Sequence, residues 1–202
     1  MARADQRIDQ GTTTTPERIA AELARYGSPL APYAGDIASL GARYHVDPAF
    51  FLGVVWGENH YGTVGAAATT YNWASISNAA YGGWPVAGSR WGQYPDPRTG
   101  IEAFFRLISG EYYPNGQTTI ESIWWGVGGS SSVTGTHAYA PAFENSPASL
   151  QTVLTVMDRV NDPNASDGSG DLLGGILPAG IDPWMALGVA ALGVALLVAL
   201  DG

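Results

Sequence analysis

The sequence predicts a mainly α domain with a loop-rich second lobe, followed by a linker and a C-terminal transmembrane helix. Three observations carry that expectation. Thr15-Pro16, Asp47-Pro48 and Ser146-Pro147 each set a capping side chain before a proline at the first helical position, and each precedes an apolar run of helical period. From Tyr61 to Gly100, Gly, Pro, Ser, Asn and aromatics dominate, a length of irregular chain that a compact domain keeps when the loop is functional. Pro183 to Leu200 carries no charge. At about 1.5 Å of rise per residue it makes about 27 Å of helix, close to the roughly 30 Å hydrocarbon core of a bilayer.

Taken in order, residues 1–14 are polar and hold no apolar core of the length a secretory signal requires, so a polar N-terminal tail without a cleavable signal is expected. The folded domain occupies residues 15–160. Helices are expected at roughly 16–26, 48–58 and 147–160 from the three capped starts. Ile37, Leu40 and Tyr44 recur at helical spacing before Asp47, and Ile101, Phe104, Phe105 and Ile108 do so after Thr99, giving two more amphipathic helices. Thr118 to Trp125 reads as a shorter one, and no stretch alternates for long enough to predict a strand. Residues 161–182 are rich in Gly, Asp, Asn and Pro, the composition of a linker. In the 183–200 segment, Asp182 and Pro183 supply a helix start and Trp184 lies where an interfacial aromatic belongs, so the expected localisation is a single-pass membrane protein with a C-terminal anchor.

Composition narrows the function. The chain has 202 residues, 46% of them hydrophobic and 13% charged, enough for one medium domain and an appendage. Its 9 cations are all Arg, set against 18 acids for a net charge of -9. So few scattered cations cannot neutralise a phosphate backbone, which excludes nucleic acid as a partner. The absence of Cys removes disulfides, thiolate nucleophiles and Cys-ligated metals. His45, His60 and His137 do not fall at metal-ligand spacing, so no metal and no cofactor is expected. Ser130-Ser131-Ser132 sits among glycines without the G-x-S-x-G context of a nucleophile elbow, and reads as a loop.

The remaining chemistry centres on a carboxylate and on indoles. Glu58 ends a helix whose preceding residues Phe50, Phe51, Leu52, Val54, Val55 and Trp56 are apolar. Apolar walls and the helix C-terminal dipole are both expected to disfavour its anion, as a general acid near neutral pH requires. Six of the seven Trp lie between positions 56 and 125. Such rings with few charges suit a groove in which sugar C–H faces stack on aromatic planes and hydroxyls find Asn, Ser and Tyr.

Glu58-Asn59-His60-Tyr61-Gly62-Thr63 resembles the E-[ST]-x-x-G-[TS] signature of the peptidoglycan-cleaving glucosaminidases of glycoside hydrolase family 73, within the lysozyme-like superfamily. Four further stretches agree in order over about 115 residues: Tyr44 to Pro48, Tyr71 to Ile76, Tyr94 to Leu107, and Tyr139-Ala140-Pro141 with Glu144 to Pro147 after it. The resemblance implies a lysozyme-like helical domain that cleaves β-1,4 bonds of peptidoglycan glycan strands, with Glu58 as catalytic acid and Tyr139 as the active-site tyrosine. Tyr61, Asn72, Trp73, Ser75, Trp91 and Tyr94 are then expected to line the substrate groove. This chain departs from the family where Asn59 replaces the usual Ser or Thr and where Trp73-Ala74-Ser75 replaces an aromatic-Gly arrangement.

Glycosidases of this kind pair the acid with a second carboxylate, about 5 Å away as nucleophile or roughly 6.5 to 9.5 Å away as base for water. Asp96 is the acid between Tyr61 and Gly100 and stands as the candidate, with Glu144 and Glu102 behind it. Without a second acid, the substrate's 2-acetamido group or 6-hydroxyl would attack, giving a reducing sugar or a 1,6-anhydro sugar respectively. A lytic transglycosylase therefore stays open beside the glucosaminidase. So does a wall-binding or structural virion membrane protein that keeps the fold without the activity. A wall-cleaving domain on a membrane anchor also suits a bacteriophage particle that must pierce the cell wall. The expected partners are glycan strands and, through residues 183–200, a lipid bilayer.

Overall fold

A computed structural model describes residues 2–11, 14–77, 80–89, 91–139 and 146–161. The linker beyond Asn161, the apolar segment 183–200 and the Ala140 to Asn145 part of the last motif lie outside the described residues. Helices α1 (Pro16–Arg25), α2 (Ala34–Tyr44), α3 (Pro48–Asn59), α4 (Ala67–Thr70), α5 (Pro97–Leu107), α6 (Ile120–Trp125) and α7 (Pro147–Asn161) make up most of the domain. One small antiparallel ribbon pairs β1 (Trp84–Pro85) with β2 (Gly92–Gln93), Trp84 opposite Gln93. Among the described residues no helix is long and apolar enough to cross a membrane.

The expected helix starts form through their capping side chains. The Thr15 hydroxyl accepts from the Arg18 N–H at 3.4 Å, and the Asp47 carboxylate from the Ala49 N–H at 2.9 Å. Ser146 and Ser149 exchange reciprocal side-chain bonds with each other's N–H groups at 3.1 and 3.0 Å. α5 begins earlier than its apolar period indicates, because Asp96-Pro97 is a fourth capping pair: Asp96 accepts from the Thr99 N–H at 2.8 Å and from the Thr99 hydroxyl at 2.7 Å. Beyond α5 the chain widens into a π-helical turn at Ile108–Tyr112.

α3 is the central helix, with every residue from Pro48 to Val55 buried. It is apolar on all faces because it is covered on all faces. α7 packs along it through Val153, Val156 and Met157, and α5 lays Phe104 and Phe105 against Phe51 at ring separations of 5.2 and 5.4 Å.

Residues 2–11 are not the free polar tail that their composition predicts. The Ile8 N–H donates to the Thr118 carbonyl at 2.9 Å, the Ile120 N–H to Gln6 at 3.1 Å and the Asp47 N–H to Ile8 at 2.8 Å, while the Ile8 side chain is fully buried. Backbone pairing is indifferent to side-chain polarity, so this strap leaves a single buried Ile as its signal in the sequence.

Candidate active site

Glu58 lies on the last turn of α3, where the helix leaves the core, and it is exposed. Among the described residues the expected apolar enclosure is therefore not found: the buried face of α3 carries Val54 and Val55, and Glu58 emerges on the side that reaches solvent. The chain then makes an abrupt turn. His60, Tyr61 and Gly62 adopt positive φ of 49°, 59° and 78° in succession, followed across the site by Tyr71 at 54° and Ser75 at 50°. Left-handed backbone costs a non-glycine residue roughly 1–2 kcal/mol, so these turns persist because surrounding bonds over-determine them. Gly62 is required on two counts, since beyond its φ a Cβ there would sit 2.6 Å from the Trp73 ring.

The side chains that enforce the turn come from three directions. Asn59, buried, donates from Nδ2 to the Trp73 carbonyl at 2.6 Å and accepts at Oδ1 from the Gly62 N–H at 2.6 Å. The Ser28 hydroxyl donates to the Tyr61 carbonyl at 2.7 Å. The Tyr61 hydroxyl donates to Glu22 at 2.6 Å, and Glu22 also accepts from Arg159 Nε at 2.9 Å, a buried trio joining α1, the turn and α7. Burial and the adjacent Glu22 carboxylate hold the Tyr61 phenol well above its ordinary range.

Tyr139 is half-buried and comes close enough to Glu58 to feel its charge. Burial first, and the Glu58 carboxylate second, push its phenol far above the usual tyrosine range, so it is neutral at any working pH. Its hydroxyl donates to the Ala74 carbonyl at 3.0 Å and its ring stacks on Trp124 with planes 11° apart. The structure thus brings together the two residues that the sequence motifs nominate from opposite ends of the domain. His60, its ring tilted against Trp56 with centroids 4.6 Å apart, has its pKa lowered by burial, which favours the neutral imidazole.

The expected groove residues divide into two groups. Tyr61, Asn72, Trp73 and Tyr94 are buried, at 0%, 6%, 1% and 1% exposure, and their polar atoms are committed inside the protein. Asn72 donates to the Ile76 and Gly92 carbonyls at 2.9 and 3.0 Å and accepts from the Ile76 N–H at 2.7 Å, beside the Gly92 N–H bond to the Ile76 carbonyl at 3.1 Å. Trp73 Nε1 donates to the Pro97 carbonyl and the Tyr94 hydroxyl to the Ala80 carbonyl, both at 3.0 Å. These four frame the site rather than offer a surface for a sugar, because an aromatic in a sequence does not declare which of its faces the fold will cover. Ser75 and Trp91 are half-buried at the loop surface. Trp84, on the ribbon, is the one indole between positions 56 and 125 that stands exposed, at 44%; its place in the loop lobe is legible in the sequence, its exposure is not.

Two of the three alternative acids, Asp96 and Glu102, have structural occupations. Asp96 caps α5, and the Thr99 N–H chiefly holds its carboxyl below the usual range; burial opposes this, and the Thr99 hydroxyl and Arg98 add to the lowering. Glu102 accepts from the Tyr44 hydroxyl at 2.6 Å and pairs with Arg43 at 3.4 Å. Glu144 lies outside the described residues. Among the described residues no cluster of three or more His, Asp or Glu side chains is placed to hold a metal.

No protein-family profile matches the chain, and no curated protein sequence matches it. Solved structures do. The fold is similar to autolysin E of S. aureus in three structures. For a catalytic mutant in complex with the disaccharide NAG-NAM the TM-score is 0.56 at 12% identity, covering 79% of this chain and 72% of that one. For the complex with the muropeptide NAM-L-Ala-D-iGlu it is 0.55 at 13% identity, over 79% and 72%. For the autolysin itself it is 0.56 at 13% identity, over 78% and 70%. At such identity the likeness establishes a shared fold, mainly helical with a small antiparallel sheet.

Proposed function

We propose that this protein is a glycosidase that cleaves β-1,4 bonds in the glycan strands of peptidoglycan, of the N-acetylglucosaminidase type, with Glu58 as proton donor. The observation that carries the reading is the place of Glu58 at the open end of the central helix, linked through Asn59, Trp73 and Ala74 to the hydroxyl of Tyr139. It is supported by a fold shared with an autolysin that binds NAG-NAM. In this reading the bound glycan supplies what the empty site lacks: by covering Glu58 it excludes water, favours the protonated acid and strengthens its hydrogen bond to the leaving oxygen. Tyr139 contributes an uncharged wall beside the acid, and its raised pKa keeps a second anion away from the site. We further infer that residues 183–200 anchor the domain to a lipid bilayer, an inference supported by an uncharged stretch of membrane-spanning length.

A lytic transglycosylase reading is favoured by one specific observation, the engagement of Asp96 and Glu102 in a helix cap and a surface ion pair. The substrate's own 6-hydroxyl would then take the place of a protein carboxylate. Glu58→Gln tests the shared premise: it is expected to leave the melting curve unchanged and to abolish release of fragments from purified peptidoglycan. Retained cleavage removes Glu58 from the mechanism. Mass spectrometry of the wild-type products separates the two reactions, reducing N-acetylglucosamine ends marking hydrolysis and 1,6-anhydro-muramyl ends marking transglycosylation.

A further inference from the structure

Two strained segments face each other at the site. One is the turn at His60–Gly62 directly after Glu58; the other runs from Tyr71 to Ser75 and carries the Ala74 carbonyl that receives the Tyr139 hydroxyl. A single side chain joins them. Asn59, the residue after Glu58, donates to the Trp73 carbonyl on the second segment and accepts from the Gly62 N–H on the first, both at 2.6 Å, with only 6% of its surface exposed. A carboxamide presents a donor and an acceptor at opposite corners of one plane, which is what a bridge between a carbonyl and an N–H demands.

Resting on the glycosidase reading above, we propose that Asn59 is a positioning residue: it fixes the distance between Glu58 and Tyr139 by clamping the Tyr71–Ser75 segment, which receives the Tyr139 hydroxyl, to the helix end that holds Glu58. The path runs through bonds and backbone from Asn59 to Trp73, to Ala74 and to the Tyr139 hydroxyl. Asn59 touches no reacting atom; its contribution is to the relative placement of two groups that do.

Asn59→Asp separates the two halves of the bridge, since the carboxylate keeps the acceptor for Gly62 and loses the donor for Trp73. Assayed on purified peptidoglycan as the full chain, well below its melting temperature, it is expected to lose about ten- to hundredfold in kcat, the scale on which small misplacements act. Half-saturation by glycan should move less than about twofold, because the clamp fixes catalytic groups rather than the remote sugar contacts that set binding. Tyr139→Phe removes the last bond of the path, so the double variant should lose no more than the worse single one. Asn59→Ser, smaller and uncharged, serves should the Asp variant fail to fold, with the same split between kcat and half-saturation. Normal kcat in a variant with a lowered melting temperature overturns the proposal, as do losses that multiply in the double variant. The unfolding midpoints of the same four proteins answer independently of activity: coupled shifts support the bridge and additive shifts overturn it. A wild-type chain that binds glycan without releasing fragments overturns the glycosidase reading alone.

Discussion

Glu58 shows how little a residue's neighbours in sequence say about its solvent. Its helix is apolar and buried for two turns, yet the penultimate position of α3 falls outside the core and its side chain is exposed. Asp96 makes the complementary point. Flanked by prolines in a loop, it is at once a possible second acid and a helix cap, and the bonds from Thr99 identify the cap. Asp96→Ala is expected to cost about 1 kcal/mol of stability, measured by denaturant unfolding at neutral pH. The folded carboxyl is held below its ordinary value, so this stabilisation is complete above the unfolded pKa of about 4 and disappears as pH falls through the folded one. The gap between wild type and variant should close in acid, and kcat at neutral pH should not change. A large loss of kcat with little loss of stability would make Asp96 the missing second acid.

Among the elements, the helices were legible because their signals are local. A capping side chain, a proline and an apolar period all lie within one or two turns, and α1, α3 and α7 begin where those signals stand. α5 carries the same signal at Asp96-Pro97, ahead of the apolar period that begins at Ile101. What joins elements is not local. Glu22 on α1 and Arg159 on α7, at 4% and 6% side-chain exposure, meet behind the turn that follows Glu58, and Arg159 also lies over the Tyr26 and Trp56 rings at 5.4 and 5.8 Å. Breaking such a pair strands a buried charge. Arg159→Met should lower the unfolding free energy by about 3–5 kcal/mol, and adding Glu22→Leu should restore most of it, because two apolar residues leave no uncompensated charge. If the double variant is as unstable as the single one, the pair holds the helices by shape rather than by charge.

At the scale of the whole molecule, the reading proposed above is of a wall-acting domain carried on a membrane. An acidic chain with 9 Arg and no Lys has little electrostatic attraction for anionic wall polymers or lipid head groups, so in that reading glycan binding would rest on stacking and hydrogen bonds, and membrane attachment on the apolar segment. Removal of the residues after about 170 is expected to turn a protein that needs detergent into one that stays in the supernatant; a truncated protein that still pellets with membranes would refute the anchor. By itself the sequence determined the mainly helical class, the helix starts, the central place of α3 and the candidacy of Glu58 and Tyr139, because capping, apolar period and a spaced motif are written in short stretches of chain. Only the tertiary structure decided that residues 2–11 are a bound strap and that Tyr61, Asn72, Trp73 and Tyr94 frame the site from inside. It alone showed that Glu58 is open to solvent and that Asn59 clamps two left-handed turns together. Burial and long-range hydrogen bonding depend on which distant segment covers a residue, and no local pattern of side chains specifies that.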